Sequence, residues 1–189
     1  MRYVPYNGGA TLPAWLHSPP QPPRIAITVG TVVPEWNGLR SLRHLVDEAG
    51  HLDAEFMLAL GQADPTPLGP LPANVHPVGW VPLSSLLPTC QAIVHHGGAG
   101  TTLTALAHGV PQLVLPNGAD RHINALAAQR RGTAMVSSLE EVTHHDLRSL
   151  VDNHPIRDTA QQVRQEIETL PTPADTVAHL VHLASTNQP

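Results

Sequence analysis

The chain has 189 residues, 41% of them hydrophobic, with a formal charge of −5 and a pI near 6.2. That is long enough for one domain with a real core, too acidic to invite nucleic acid, and without the run of about 18 apolar residues that would span a bilayer. The single Cys90 excludes an internal disulfide framework and the N-terminus MRYVPYNGGATLPAW lacks the basic-then-apolar order of a signal peptide, so a reducing cytoplasm is expected.

Residues 1–23 read as irregular and end in the proline-dense His17-Ser18-Pro19-Pro20-Gln21-Pro22-Pro23, stiff enough to be an extended linker. A chain that begins with a linker suggests the second half of a two-domain protein. Residues 24–29 are a nearly continuous apolar, β-branched run that empties into Gly30-Thr31, the pattern of a buried parallel strand. Leu39, Leu42, Leu45 and Val46 fall at helical spacing, 54–60 make a second strand, and the Gly- and Pro-rich 61–72 make a surface loop. A short strand at 75–78 runs into Gly79-Trp80-Val81-Pro82, and 83–87 form a brief helical turn stopped at Pro88.

The stretch 92–125 organises the rest. Residues 92–94 are a short strand, His95-His96-Gly97-Gly98-Ala99-Gly100 a tight turn, and 101–108 a helix carrying Leu103, Leu106 and Ala107 at helical spacing. Gly109 ends it as a C-terminal cap, with Pro111 beyond. A strand that leads through glycines into a helix start gathers backbone N–H groups and the positive helix end at one point, which is an anion site. It is not a Walker A loop, because the Gly-Lys-Ser/Thr ending is missing. A helix at 121–131 carries Ile123, Leu126, Ala127 and Arg130, then come a last strand at 133–136 and helices at 143–151, 156–170 and 174–184. The first of these three opens on a Thr cap, and the last shows Val177, Leu180, Val181 and Ala184 on one face.

Alternating strands and helices predict an α/β fold, a doubly wound parallel sheet with helices on both faces. Ligands of such sheets bind beyond the carboxyl ends of the strands. The decorated ends here are Gly30-Thr31, Trp80, His95-His96 with the glycines, and 117–120. Together they offer an aromatic plate, a phosphate cradle, a histidine and a carboxylate, an inventory suited to a nucleotide joined through its diphosphate to a polyhydroxylated group. Every cation is arginine, lysine being absent, and there are 13 histidines and 20 prolines. No HExxH occurs, Cys90 has no cysteine partner, His179 and His182 form a surface pair on one helical face, and His51 has nothing near it in sequence, so metals are set aside.

Three motifs in order, Gly79-Trp80-Val81-Pro82, then HHGGAGTTLTALAHGVPQLVLP, then Ala119-Asp120-Arg121-His122-Ile123-Asn124-Ala125, resemble the donor-binding half of a family 1 glycosyltransferase of the GT-B fold. The likeness is to bacterial enzymes that decorate macrolides and other natural products. It implies a Rossmann-like C-terminal domain at 24–189 behind an interdomain linker at 1–23, the N-terminal acceptor domain lying outside this chain. By position, Trp80 resembles the tryptophan that stacks on the nucleotide base, and Val81 the residue whose backbone meets the base edge. His96, rather than His95, matches the diphosphate-binding histidine, with Gly98, Gly100 and Thr101 meeting the phosphates and Thr31 reaching them from the first loop. Asp120 and Arg121 stand where an Asp-Gln pair contacts the donor sugar, with Asn124 in support. Arg121 departs from that pattern, because a guanidinium only donates whereas glutamine also accepts. The plainer readings are a core tryptophan at Trp80, a structural histidine at His96 and a helix N-cap at Asp120.

Thr104 falls where relatives that use uridine diphosphate sugars carry a glutamate for the ribose hydroxyls, so the expected donor is a thymidine diphosphate deoxysugar. The implied reaction is an inverting, metal-independent and cofactor-free transfer of that sugar to a hydroxyl of a small acceptor bound by the N-terminal domain. The general base also belongs to that domain, so the chain alone is expected to bind donor and transfer nothing. No nucleic-acid or membrane partner is expected. Two other readings remain open: a non-catalytic nucleotide-sugar binding or partner-activating module, and a GT-B nucleotide-sugar epimerase.

Overall fold

The computed structural model describes residues 1–6, 8, 12–18, 20, 22–30, 39–118 and 120–186. All five residues of the first strand, Arg24–Thr28 (β1), are buried, as a parallel strand covered on both faces requires. Its side chains alternate between two cores. Ile25 and Ile27 enter one with Phe56, Leu58 and Val94, whereas Ala26 enters the other with Met57 and Ile93.

Around β1 lie β2 (Glu55–Ala59), β3 (Val75–Val78), β4 (Ala92–His95), β5 (Gln112–Val114) and β6 (Ala134–Val136). Every pairing is parallel and the order is β3-β2-β1-β4-β5-β6. The expected doubly wound sheet is therefore present. Register aligns its ends: Val78, Ala59, Thr28, His95, Val114 and Val136 are successive partners across the sheet. The chain consequently leaves all six strands along one rim.

One face is covered by α1 (Arg43–Ala49), which follows a 3-10 turn at Leu39–Leu42, and by α5 (His144–Asp152). The other carries α2 (Leu83–Leu86) and α3 (Ala99–His108), with α4 (Arg121–Arg130) over β6. The chain continues as α6 (His154–Thr169) and α7 (Pro173–Thr186). Thr143 caps α5, as the sequence suggested, and the structure adds a reciprocal box with Asp146. Pro88 does not stop the turn before it; a second 3-10 turn, Leu87–Thr89, accommodates it near its start.

Three helical faces differ from what spacing suggests. α3 begins at Ala99 and buries Thr102, Thr104 and Ala105, leaving Leu103 38% exposed. The threonines can be buried because each hydroxyl donates to its own helix, Thr102 to the Gly98 carbonyl at 3.1 Å and Thr104 to that of Gly100 at 2.7 Å. α4 packs through its small residues Ala125 and Ala128, so Ile123 and Leu126 face outward. α7 buries none of its residues.

Candidate functional site

In a doubly wound sheet the crevice opens where the strand order reverses, here between β1 and β4. Beyond the aligned carboxyl ends lies a cavity of about 670 Å³ lined by Gly30, residues 61–63, Trp80, Val81, His96, Gly98, Gly100 and Thr101, among others. Six residues given binding roles in the sequence reading, Trp80, Val81, His96, Gly98, Gly100 and Thr101, thus meet in one pocket. Trp80 is 54% exposed, so its indole is a wall of the site and not core; Val81 is buried beneath it.

Adjacent histidines end β4 in opposite environments. His95 is buried; its Nδ1 accepts from the Gly97 N–H at 3.1 Å, so the proton sits on Nε2, which donates to Gln112 Oε1 at 2.9 Å. Burial pushes its pKa down to about 4. His96 instead turns into the crevice between two glycines. A Cβ on Gly98 would stand 2.6 Å from its Nε2, and one on Gly30, whose φ is +71°, 2.6 Å from its Cε1. Desolvation, reinforced by the Arg121 charge and opposed by the Thr28 backbone and Asp120, lowers its pKa to about 4. The ring is therefore neutral at pH 7. Its Nδ1 is buried without a hydrogen-bond partner of good geometry, the Thr28 backbone giving only weak support.

The helix start beside His96 is equally unspent. Gly98, its N-cap, has no side chain to cap with, and the first turn of α3 holds no acidic residue. The first amides of a helix have no internal partner, and α3 points them, with its positive end, at the pocket that Gly100 and Thr101 line. Neutral imidazole, free amides and the Thr101 hydroxyl form a donor-rich surface that holds no carboxylate among the described residues, which suits a diphosphate.

Asp120, Arg121 and Asn124 sit beside this pocket without lining it. Asp120 precedes α4 but does not cap it through its side chain. Its carboxylate accepts from Asn124 Nδ2 at 3.2 Å, and the same amide reaches the Gly97 carbonyl at 2.9 Å, tying α4 to the glycine turn. Arg121 donates to the Asn117 carbonyl at 2.9 Å. Thr31 lies outside the described residues. Sequence reasoning passed over the loop after β2, Gly61-Gln62-Ala63, which lines the pocket because β2 separates β1 from β3. Its glycine was the available signal, but the strand order needed to use it was not. His51, which had nothing near it in sequence, lies beside Glu48 and His144.

The family described as erythromycin biosynthesis protein CIII-like, C-terminal domain, matches residues 43–183. Elloramycin glycosyltransferase ElmGT of Streptomyces olivaceus is 45% identical over 183 residues, which are 95% of this chain and 47% of that protein. The crystal structure of the glycosyltransferase SnogD from Streptomyces nogalater matches with a TM-score of 0.89 and 46% identity over 97% of this chain and 50% of its own. Glycosyltransferase VinC, solved in complex with DTDP, matches with a TM-score of 0.86 and 36% identity over 98% of this chain and 47% of its own. The chain spans about half the length of these relatives, and its sheet is the one these GT-B glycosyltransferases share.

Proposed function

This chain belongs to the family of erythromycin biosynthesis protein CIII-like C-terminal domains, and from that premise we propose that it is the donor-binding half of an inverting glycosyltransferase. Residues 24–189 hold a nucleoside diphosphate sugar, residues 1–23 link them to a preceding domain, and the sugar passes to a hydroxyl of a small natural-product acceptor held by that domain. The observation that carries this reading is His96, neutral, with an unpartnered buried nitrogen, clamped between Gly30 and Gly98 at the uncapped start of α3.

The base stacks on Trp80 with the Val81 backbone at its edge. From β3, which Trp80 follows by two residues, to β4, which His96 directly follows, is three strand spacings, roughly 14 Å, room for a nucleoside between the plate and the phosphates. The diphosphate rests over Gly98, Gly100 and Thr101, with His96 donating to it and Thr31 as the further phosphate ligand that the resemblance implies. The donor sugar then extends toward Asp120 and Arg121, which Asn124 braces against the glycine turn.

In the reaction the acceptor oxygen attacks the anomeric carbon, the bond from that carbon to the diphosphate oxygen breaks on the opposite face, and the electron pair leaves with the diphosphate. The acceptor's proton goes to a base in the preceding domain. Charge grows on the departing diphosphate, so the His96 N–H, the α3 amides and the threonine hydroxyls stabilise the transition state more than the ground state. Removing one such donor costs about 2.7–4 kcal/mol in comparable sites. His96→Ala in the full-length enzyme accordingly lowers turnover about 10²- to 10³-fold, and near-normal turnover rejects the assignment.

The donor in this reading is a thymidine diphosphate deoxysugar, and two observations favour its thymidine over uridine. Thr104 is 1% exposed and spends its hydroxyl on Gly100, so this position offers nothing to a ribose 2′-hydroxyl. VinC, a relative at 36% identity, was solved with DTDP. Calorimetric titration of the chain with thymidine and uridine diphosphates tests the preference; tighter binding of the uridine form overturns it.

A further inference from the structure

Outside the donor pocket the histidines are unevenly spread, and one corner gathers several of them. At the end of α1, Glu48 Oε2 accepts from the His144 backbone N–H at 2.6 Å and lies 2.9 Å from that residue's Nδ1. The exposed His51, just past the end of the helix, brings its ring to 5.5 Å from the ring of His144, which also lies 4.2 Å from that of His145. His44, one turn before Glu48, fixes the approach to α5 by pairing its Nε2 with the Val142 carbonyl at 2.8 Å. One donor atom each from Glu48, His51 and His144 lie within 4.8 Å of one another.

We propose that Glu48, His51 and His144 form a site for a borderline divalent transition ion of the zinc class. Two imidazole nitrogens and one carboxylate oxygen are the donor set such ions select, whereas magnesium and calcium prefer shells of oxygen. Ligand bonds of about 2.0–2.2 Å set neighbouring donors about 3.4 Å apart in a tetrahedron. Glu48 and His144 already approach more closely than that, and rotation of the exposed His51 ring completes the contraction. The ion takes the place of the proton between Glu48 and the His144 ring, and solvent fills the fourth position. Because α1 returns antiparallel to the strands, its C-terminal end lies away from the carboxyl rim. The site therefore joins the end of α1 to the start of α5 and takes no part in sugar transfer.

Zinc alone, titrated into the whole chain at neutral pH, binds one to one and raises the thermal midpoint, while magnesium does neither. His51→Ala removes an exposed ligand without disturbing packing and weakens zinc binding at least about 10-fold, the loss expected even for an outer-sphere partner. Glu48→Gln, which keeps an acceptor for the His144 amide, weakens it as well, and the His179→Ala/His182→Ala double variant does not. Absence of binding, binding that survives His51→Ala, or binding abolished by the double variant overturns the proposal.

Discussion

Protonating His95 would turn the acceptor of the Gly97 N–H into a second donor on a buried ring. The unfolded chain takes up that proton near pH 6.5 and the folded chain near 4. Between those values the unfolded state holds more protons, so stability is complete above pH 6.5 and declines as pH falls toward 4. The shift corresponds to roughly 3 kcal/mol. NMR titration of the imidazoles checks it: His95 is expected to stay neutral down to near pH 4, and ordinary titration near 6.5 contradicts the buried pair with Gln112. His96 starts from the same low value but faces the pocket. A bound diphosphate raises its pKa, so binding takes up a proton and a nucleoside diphosphate sugar binds more tightly as pH is lowered from 7 toward 4. A titration midpoint of His96 unmoved by the donor contradicts its phosphate role. The dipeptide His95-His96 was legible as important from sequence, and the family resemblance pointed to His96. The clamp on His96 was not, because it depends on Gly30, which is 66 residues away in sequence.

At the level of the element, α3 trades stability for an open start. Gly100 sits in its first turn, and a Cβ there meets nothing within 4 Å because it points into the pocket. Gly100→Ala is expected to stabilise the chain by up to about 1 kcal/mol through helix propensity while weakening nucleoside diphosphate binding. Denaturant unfolding and calorimetry on the same variant check both halves; stabilisation with unchanged affinity contradicts the pocket assignment. Thr143→Ala supplies the contrast. Loss of its capping box costs about 1 kcal/mol and leaves donor affinity unchanged. Helix positions were readable from turns and caps, but helix faces were not. Spacing assigns Leu103, Ile123 and Leu126 to apolar stripes, yet buried threonines that bond their own backbone and close-packed alanines take the inner positions instead.

For the whole molecule, the decisive fact is the register that brings six strand ends to one rim, with Trp80 at one edge and His96 beside the switch point. Strand number and parallel sense follow from the sequence pattern. Strand order does not, since a short strand such as β3 could lie on either edge, and with it went the contribution of 61–63 to the pocket. The relatives are about twice as long, so transfer is expected only from a protein that also supplies the acceptor side. α7 fits that division. Val177, Leu180 and Val181 are each more than half exposed, and Val181→Ala is expected to change the stability of this chain by no more than about 0.5 kcal/mol, the range of surface substitutions. The most direct test of a donor site built on this rim is titration of the chain alone with thymidine diphosphate, followed by tryptophan fluorescence in a Trp15→Phe/Trp36→Phe background that leaves Trp80 as the emitter. Saturable one-to-one quenching that is lost in His96→Ala is the predicted result; no binding, or quenching unaffected by His96→Ala, contradicts it.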